Sequence, residues 1–155
     1  MSAEKNLLAK HIVLPEAPKP VANYITALQV GDLLYVSGHG PAPLDSVKTK
    51  GKVGKDLTVE EGYQAARRTG FSILATVRAK LGSLDRVERV VKLLGMVNAA
   101  EDFQDHPKVV NGCSDLFVEV FDDNGRGTRS AVGMGSLPGN IATEVEAVFL
   151  LKKGS

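Results

Sequence analysis

One cysteine, no tryptophan, three tyrosines, five phenylalanines and a net charge of +1 remove several protein classes from this 155-residue chain at the outset. The lone Cys113 excludes an internal disulfide framework and fits a reducing compartment. With 19 basic against 18 acidic residues there is no general attraction to a polyanion, and the few aromatics offer little for bases to stack on, so nucleic acid is not an expected partner. No apolar run reaches the roughly 20 residues of a membrane helix, and Met1-Ser2-Ala3-Glu4-Lys5 carries no hydrophobic signal core. The expectation is therefore a cytoplasmic protein with no membrane partner. The three histidines, His11, His39 and His106, stand in unrelated contexts. No His/Cys/Asp spacing suits zinc, and no P-loop or dinucleotide fingerprint occurs, so neither a metal nor a cofactor is expected.

What is present is enough for one domain, since 43% apolar residues over this length can build a core without staples. Ser2-Ala3-Glu4-Lys5 opens like a capping box and predicts a short helix ending before Ile12, after which Pro15, Pro18 and Pro20 form an extended tether on the domain surface. Residues 1–19 thus read as an N-terminal extension and 20–155 as the main domain. Tyr24–Val30 and Leu33–Ser37 flank Gly31-Asp32, a hairpin signal, and predict antiparallel strands. In Ser37-Gly38-His39-Gly40-Pro41 the glycines let backbone approach a ligand closely. Residues 42–55, with Lys48, Lys50, Lys52 and Lys55, read as a polar loop, either a lid or disordered, with room for one short strand.

Thr58-Val59-Glu60-Glu61 is a capping box, and Ala66, Gly70, Ile73, Leu74, Val77 and Leu81 recur at helical spacing until Gly82. Val87–Val97, rich in β-branched residues, reads as a central strand. A second helix begins near His106 with Pro107 in its first turn. It runs to about Phe121 on Val109, Val110, Cys113, Leu116, Phe117 and Val120, which makes Cys113 a buried small hydrophobe. Thr128–Met134 and Thr143–Leu151, flanking Leu137-Pro138-Gly139-Asn140, predict two strands lying close together. Arg129 shares its strand face with Ala131 and Gly133, while Glu144 and Glu146 oppose the apolar Val145, Ala147, Phe149 and Leu151. An arginine among small residues with carboxylates across a turn is a candidate site for a small anion. The whole order predicts an α+β fold, a mixed sheet with two long helices on one face. Tyr35, Val90 and Val148 cannot all point at those helices, and oligomerisation is the simplest cover for the other face.

The run R-S-A-V-x-x-x-S-L-P-x-x-x-x-x-E-V-E-A from Arg129 to Ala147 resembles the C-terminal signature of the Rid family, the reactive intermediate deaminases also called YjgF or L-PSP proteins. Tyr24, the stretch Val30-Gly31-Asp32-Leu33-Leu34-Tyr35-Val36-Ser37-Gly38, and Val53-Gly54-Lys55-Asp56-Leu57-Thr58 are similar to its earlier segments, so the likeness covers residues 20–152. The resemblance implies a chorismate-mutase-like fold and a homotrimer with active sites in the clefts between subunits. It also implies a cofactor-free hydrolysis of 2-imino or enamine acids to 2-keto acids and ammonia. Carried over by motif position, Arg129 grips the substrate carboxylate, Glu144 holds the attacking water, and Ser37 and Gly38 form a polar corner. Tyr24 reaches the cleft from the adjacent subunit. Asn111 matches the family's helix asparagine if a short insertion after Phe103 is allowed. Ala131 departs from the cysteine that many family deaminases carry there, and His39 is atypical beside the pocket. Two other readings stand alongside. One is a non-enzymatic binder of small carboxylate metabolites; the other is the family's endoribonuclease label, for which the four-lysine cluster is the supporting feature.

Overall fold

The structure, a computed structural model, describes residues 2–154. The elements are α1 (Ala3–Ala9), β1 (Ala27–Val30), β2 (Leu33–His39), α2 (Val59–Leu81), β3 (Val87–Asn98), α3 (His106–Phe121), β4 (Thr128–Met134) and β5 (Thr143–Leu151). The five strands form one sheet in the order β1-β2-β5-β3-β4, antiparallel except for the β3–β4 pair. The expected α+β layering is present, with both long helices on one face. The expected closeness of β4 and β5 is not, because β3 lies between them. The strand β3, the helix α3 and β4 make a crossover unit, which returns its second strand parallel to its first and leaves β4 on the sheet edge. β5 then fills the slot between β2 and β3.

Local signals set the helix ends. At the start of α2 the Thr58 hydroxyl accepts from Glu61 N–H and the Glu61 carboxylate accepts from Thr58 N–H, and Gly82 ends the helix at φ 84°. α3 carries Pro107 in its first turn and buries Val109, Val110, Cys113, Leu116, Phe117, Val120 and Phe121. The tilted rings of Phe117, Phe121 and Phe149 tie α3 to β5. α1 is stitched to the same end of the molecule. Asn6 donates to Val120 O at 2.9 Å, Glu4 accepts from Leu84 N–H at 2.9 Å, and Arg78 pairs with Glu4 at 2.8 Å.

The registers divide the sheet into two faces. Leu93 is paired with both Arg129 and Ala147, so these share the helix side; Met96 is paired with both Val132 and Glu144, which share the open side. Tyr35 lies opposite Val148 on the open face, where Leu28 (50% exposed), Tyr35 (47%) and Val132 (37%) remain uncovered. Val90 does not join them. It is fully buried in the helix-side core, because register shifts in β3 on both sides of Arg89 and Val90 bring Val87, Val90 and Leu93 all inward, at a spacing no regular strand permits.

The segment expected to be a lid or disordered is instead pinned to the body. Val53 is fully buried, its N–H donates to Asn98 O at 2.8 Å, and Lys52 Nζ donates to Asn98 Oδ1 at 3.1 Å and Gly135 O at 2.6 Å. It contributes isolated bridges to Ile141, Leu57 and Ala99 rather than a named strand.

The two long helices touch through glycine. A Cβ at Gly112 of α3 would collide with the Tyr63 carbonyl oxygen of α2, whereas one at Gly135 would meet nothing within 4 Å. Gly112→Ala should therefore destabilise the fold by at least ~2 kcal/mol, within the overpacking range, because backbone rather than a flexible tip must move. Urea unfolding checks this, with Gly135→Ala expected to stay within about 0.5 kcal/mol as a surface change does.

Candidate active site

The predicted site residues fall into two groups on opposite faces of the sheet. On the open side, Tyr24, Ser37, Gly38, Glu144 and Glu146 line a concavity of ≈1220 Å³, walled by the Pro15–Ala22 connector and by Pro138 and Ile141. On the helix side, Arg129 and Asn111 line a smaller cleft of ≈530 Å³ with Tyr63, Ser114, Asp115, Glu119 and Arg126. Arg129 and Glu144 do not meet within one chain, contrary to the simple picture of an arginine facing carboxylates across a turn. The β4–β5 turn spans β3, and the two side chains alternate to different faces.

The open-side group is organised by a bulge. Val36 pairs with Ala147 and His39 with Val145, so three steps along β2 match two along β5 and one residue of Ser37–Gly38 is extra. The displaced backbone brings Gly38 beneath the Glu144 side chain so closely that a Cβ there would collide with the carboxylate. Burial raises the Glu144 pKa above the usual carboxylate range, and the neighbouring Glu146 charge adds to this. Glu144 is thus a carboxyl poised to take or give a proton nearer neutrality than an exposed one. Ser37 is half committed. Its hydroxyl donates to Ile25 O at 2.6 Å and its N–H to Thr26 O at 3.0 Å, which extends the β1–β2 hairpin and fixes the chain just after Tyr24.

On the helix side, Arg129 reaches from the edge strand to α3, donating from Nη1 to Ser114 Oγ at 3.0 Å and from Nη2 to Pro107 O at 3.3 Å. A guanidinium has five N–H donors, so this leaves a fork for an anion. Its surroundings are polar and internally paired. Arg67 makes a bidentate pair with Glu119 at 2.8 and 3.0 Å, and the Tyr63 hydroxyl donates to Asp115 at 2.7 Å. Burial first and then that hydrogen bond push the Tyr63 pKa up to about 12. Cys113 behind this wall is fully buried, its thiol likewise pushed up to about 12 by burial, so it stays an un-ionised packing group.

Sequence reasoning missed several of these residues. Ser114 and Asp115 follow Asn111 at helical spacing of three and four, a polar stripe on α3 that was there to be read. The connector residues that wall the open concavity carried no signal beyond their prolines. Among the described residues no cluster of three His, Cys, Asp or Glu suits a metal ion, and no helix is long and apolar enough to cross a membrane.

A mixed sheet covered by helices on one face, with a carboxylate seated on a strand bulge on the other, is a chorismate-mutase-like α+β architecture. The chain belongs to the family described as "YjgF/chorismate mutase-like, putative endoribonuclease", whose model matches residues 4–150. Among its relatives, Protein TCP17 of Trypanosoma cruzi is 42% identical over 147 residues, covering 94% of this chain and 92% of that one. The 2-iminobutanoate/2-iminopropanoate deaminase of Dermatophagoides farinae is 26% identical, covering 91% and 95%. Among solved structures, the protein Atu1372 of Agrobacterium tumefaciens, of unknown function, superposes with a TM-score of 0.87 at 38% identity, covering 97% of this chain and 92% of that one.

The raised Glu144 pKa has a sign for stability. The folded state holds this proton to higher pH than the unfolded chain does, so Glu144 makes stability fall as pH rises from the ordinary carboxylate range through the raised value. Glu144→Gln, which has no proton to lose, should show a shallower decline across that window and be at least as stable as wild type at pH 7. Denaturation midpoints measured from pH 4 to pH 8 test this, and a steeper decline in the variant would contradict it.

Proposed function

We propose that this protein hydrolyses small 2-imino acids and their enamine tautomers to 2-keto acids and ammonia, in clefts between the subunits of a cytoplasmic homotrimer. The observation that carries the reading is Glu144, a carboxyl of raised pKa set on the Gly38 bulge in an open concavity. A group of that kind suits the proton traffic of imine hydrolysis. The deaminase name of the mite relative supports the same chemistry.

The division of the site supports the shared cleft. Arg129 lies on the edge strand β4 and Glu144 on the other face, so one substrate molecule would bridge the Arg129 cleft of one subunit and the Glu144 concavity of another. The uncovered apolar residues Leu28, Tyr35 and Val132 suit burial against further copies of the sheet. In this scheme the guanidinium of Arg129 holds the carboxylate by two parallel charged hydrogen bonds, and Asn111 lines the same cleft. Water attacks C2 while Glu144 takes a proton from it. The π pair of the C=N bond moves to nitrogen, which takes that proton from Glu144, giving a carbinolamine. Glu144 then takes the proton of the new hydroxyl and passes it to the nitrogen as C=O forms and the C–N bond breaks, releasing ammonia. Tyr24, Ser37 and Gly38 line the concavity and would shape the pocket around the substrate. The RNA reading is weakened where its lysines are already engaged, Lys48 with Glu61 at 2.9 Å and Lys52 with Asn98 and Gly135.

The test of the chemistry is hydrolysis of an imine generated in place by an amino-acid lyase or oxidase. Glu144→Gln should lower turnover by about 10²–10⁴-fold, the range for a positioned acid–base group, while Glu146→Gln, on the same strand face, should cost far less. Equal turnover in the two variants would overturn the role of Glu144. A wild type that binds keto acid without accelerating hydrolysis would replace the enzyme with a binding protein. The trimer has its own test: light scattering at micromolar concentration should give three times the 16.5 kDa chain mass, and a monomer mass would remove the shared cleft.

A further inference from the structure

His39 has no part in the chemistry above, yet it directly follows the bulge that sets Glu144 in place and its ring is bonded to the bulge's backbone. It ends β2 opposite Val145, and the extra residue of the Ser37–Gly38 bulge turns it inward, so that only 5% of it is exposed. In an unbulged ladder residue 39 would have fallen opposite Glu144 and on the open face; the register shift moves it one position and reverses its direction. Inside, both ring nitrogens are occupied. Nδ1 contacts Ser37 O, and a carbonyl only accepts, so Nδ1 carries the proton. In the neutral ring Nε2 is then the acceptor for the Thr76 hydroxyl of α2, at 2.8 Å. Burial keeps the ring in this neutral form by lowering its pKa. The imidazole therefore spans from a carbonyl inside the bulge to a hydroxyl on the longest helix.

We propose that His39 is the positioning residue of the Glu144 half-site, clamping the Ser37–Gly38 bulge to α2 so that the Gly38 backbone stays pressed against the Glu144 carboxylate. The inference rests on Glu144 being the acid–base group, but its geometry does not. Without the clamp, Ser37 O and Thr76 Oγ1 lose a buried partner, the bulge can relax toward a regular ladder, and Gly38 can withdraw from Glu144. The carboxyl then gains water. Of the other charged groups near Glu144, Glu146 is on its own strand and Lys92 lies farther along the open face on β3. Glu16 and Lys19 line the concavity from the connector, and β2 brings to it Ser37, Gly38 and the neutral His39 itself but no charge. None of these charged groups is altered by a change at His39.

The experiment compares His39→Leu, His39→Gln and Thr76→Val with wild type at 25 °C, on protein shown by circular dichroism to be folded. Leucine fills the space without either hydrogen bond, glutamine has both a donor and an acceptor, and Thr76→Val removes only the α2 end of the clamp. In His39→Leu, kcat for imine hydrolysis should fall about 10–100-fold with KM changed less than threefold, and the acid limb of the pH profile should move down toward the ordinary carboxylate range. Thr76→Val should show a smaller shift of the same sign, and His39→Gln should recover most of the loss. If hydrolysis is absent even in wild type, the catalytic reading fails by itself. The clamp is then tested through the carboxyl carbon of Glu144, whose NMR titration should move to lower pH in His39→Leu. A lowered melting temperature with kcat, the acid limb and that titration all unchanged would make His39 a core residue only and overturn the proposal.

Discussion

The two-residue period of β5 is the constraint on which the molecule turns. Paired with β2 on one side and β3 on the other, it sends Val145, Ala147, Phe149 and Leu151 into the helix-side core and Glu144, Glu146 and Val148 to the other face. A shift by one residue would turn two carboxylates into the helix-side core and expose Phe149. Burying an unpaired carboxylate costs far more than the ~1.5–3 kcal/mol that one buried phenylalanine contributes, so the register is secured from both directions. The open face follows from the same alternation. Only two long helices exist to cover a five-stranded sheet, and both are needed on the side where Phe149 points.

Within that frame the two bulged strands do different work. In β3 the irregularities around Arg89 and Val90 let three inward residues recur at a spacing of three, with Thr128 Oγ1 donating to the carbonyl of Val91 at 2.7 Å where the ladder is disturbed. That bulge serves packing. In β2 the bulge falls at the end of the strand, over the one glycine that can lie against Glu144, and it serves the site. β3 carries two extra residues against β5 and β2 carries one, and their consequences differ because of what stands across the sheet from each.

These bulges also mark the limit of what could be read in advance. Helix limits were legible because their causes are local: Thr58 and Glu61 three residues apart, Gly82 after Leu81, Pro107 in a first turn. The β1–β2 hairpin was legible for the same reason, through Gly31 at φ 61°. The faces of β5 followed from alternation. What failed was non-local. Nothing near Thr128 says that β3 will lie between it and Thr143, although a strand–helix–strand order points to a parallel crossover. Which of Tyr35, Val90 and Val148 faces the helices was not legible either, because Val90 turns inward only through the irregularities of β3. Residues 42–55 looked loose by composition, and it is the burial of one valine and the bonding of one lysine, Val53 and Lys52, that hold them.

The site residues show the same division between what a position states and what a fold decides. Ser37, Gly38 and Glu144 share a concavity that Tyr24 of the same chain also lines, although Tyr24 was expected from an adjacent subunit; Arg129 and Asn111 share another. The separation of the two groups is itself informative about chemistry. Had Arg129 stood beside Glu144 in one chain, the guanidinium would favour the charged carboxylate and hold its pKa down, leaving a weak base and no proton to return to ammonia. Held on opposite faces, the carboxyl keeps a raised pKa from burial and from Glu146, while the arginine keeps unused donors for an anion. A substrate bridging the two groups would then supply the negative charge at the arginine end and the electrophilic carbon at the carboxyl end. In that arrangement the two groups would meet only across the substrate, whose own carboxylate would neutralise the guanidinium and leave the raised pKa of the carboxyl to burial and to Glu146.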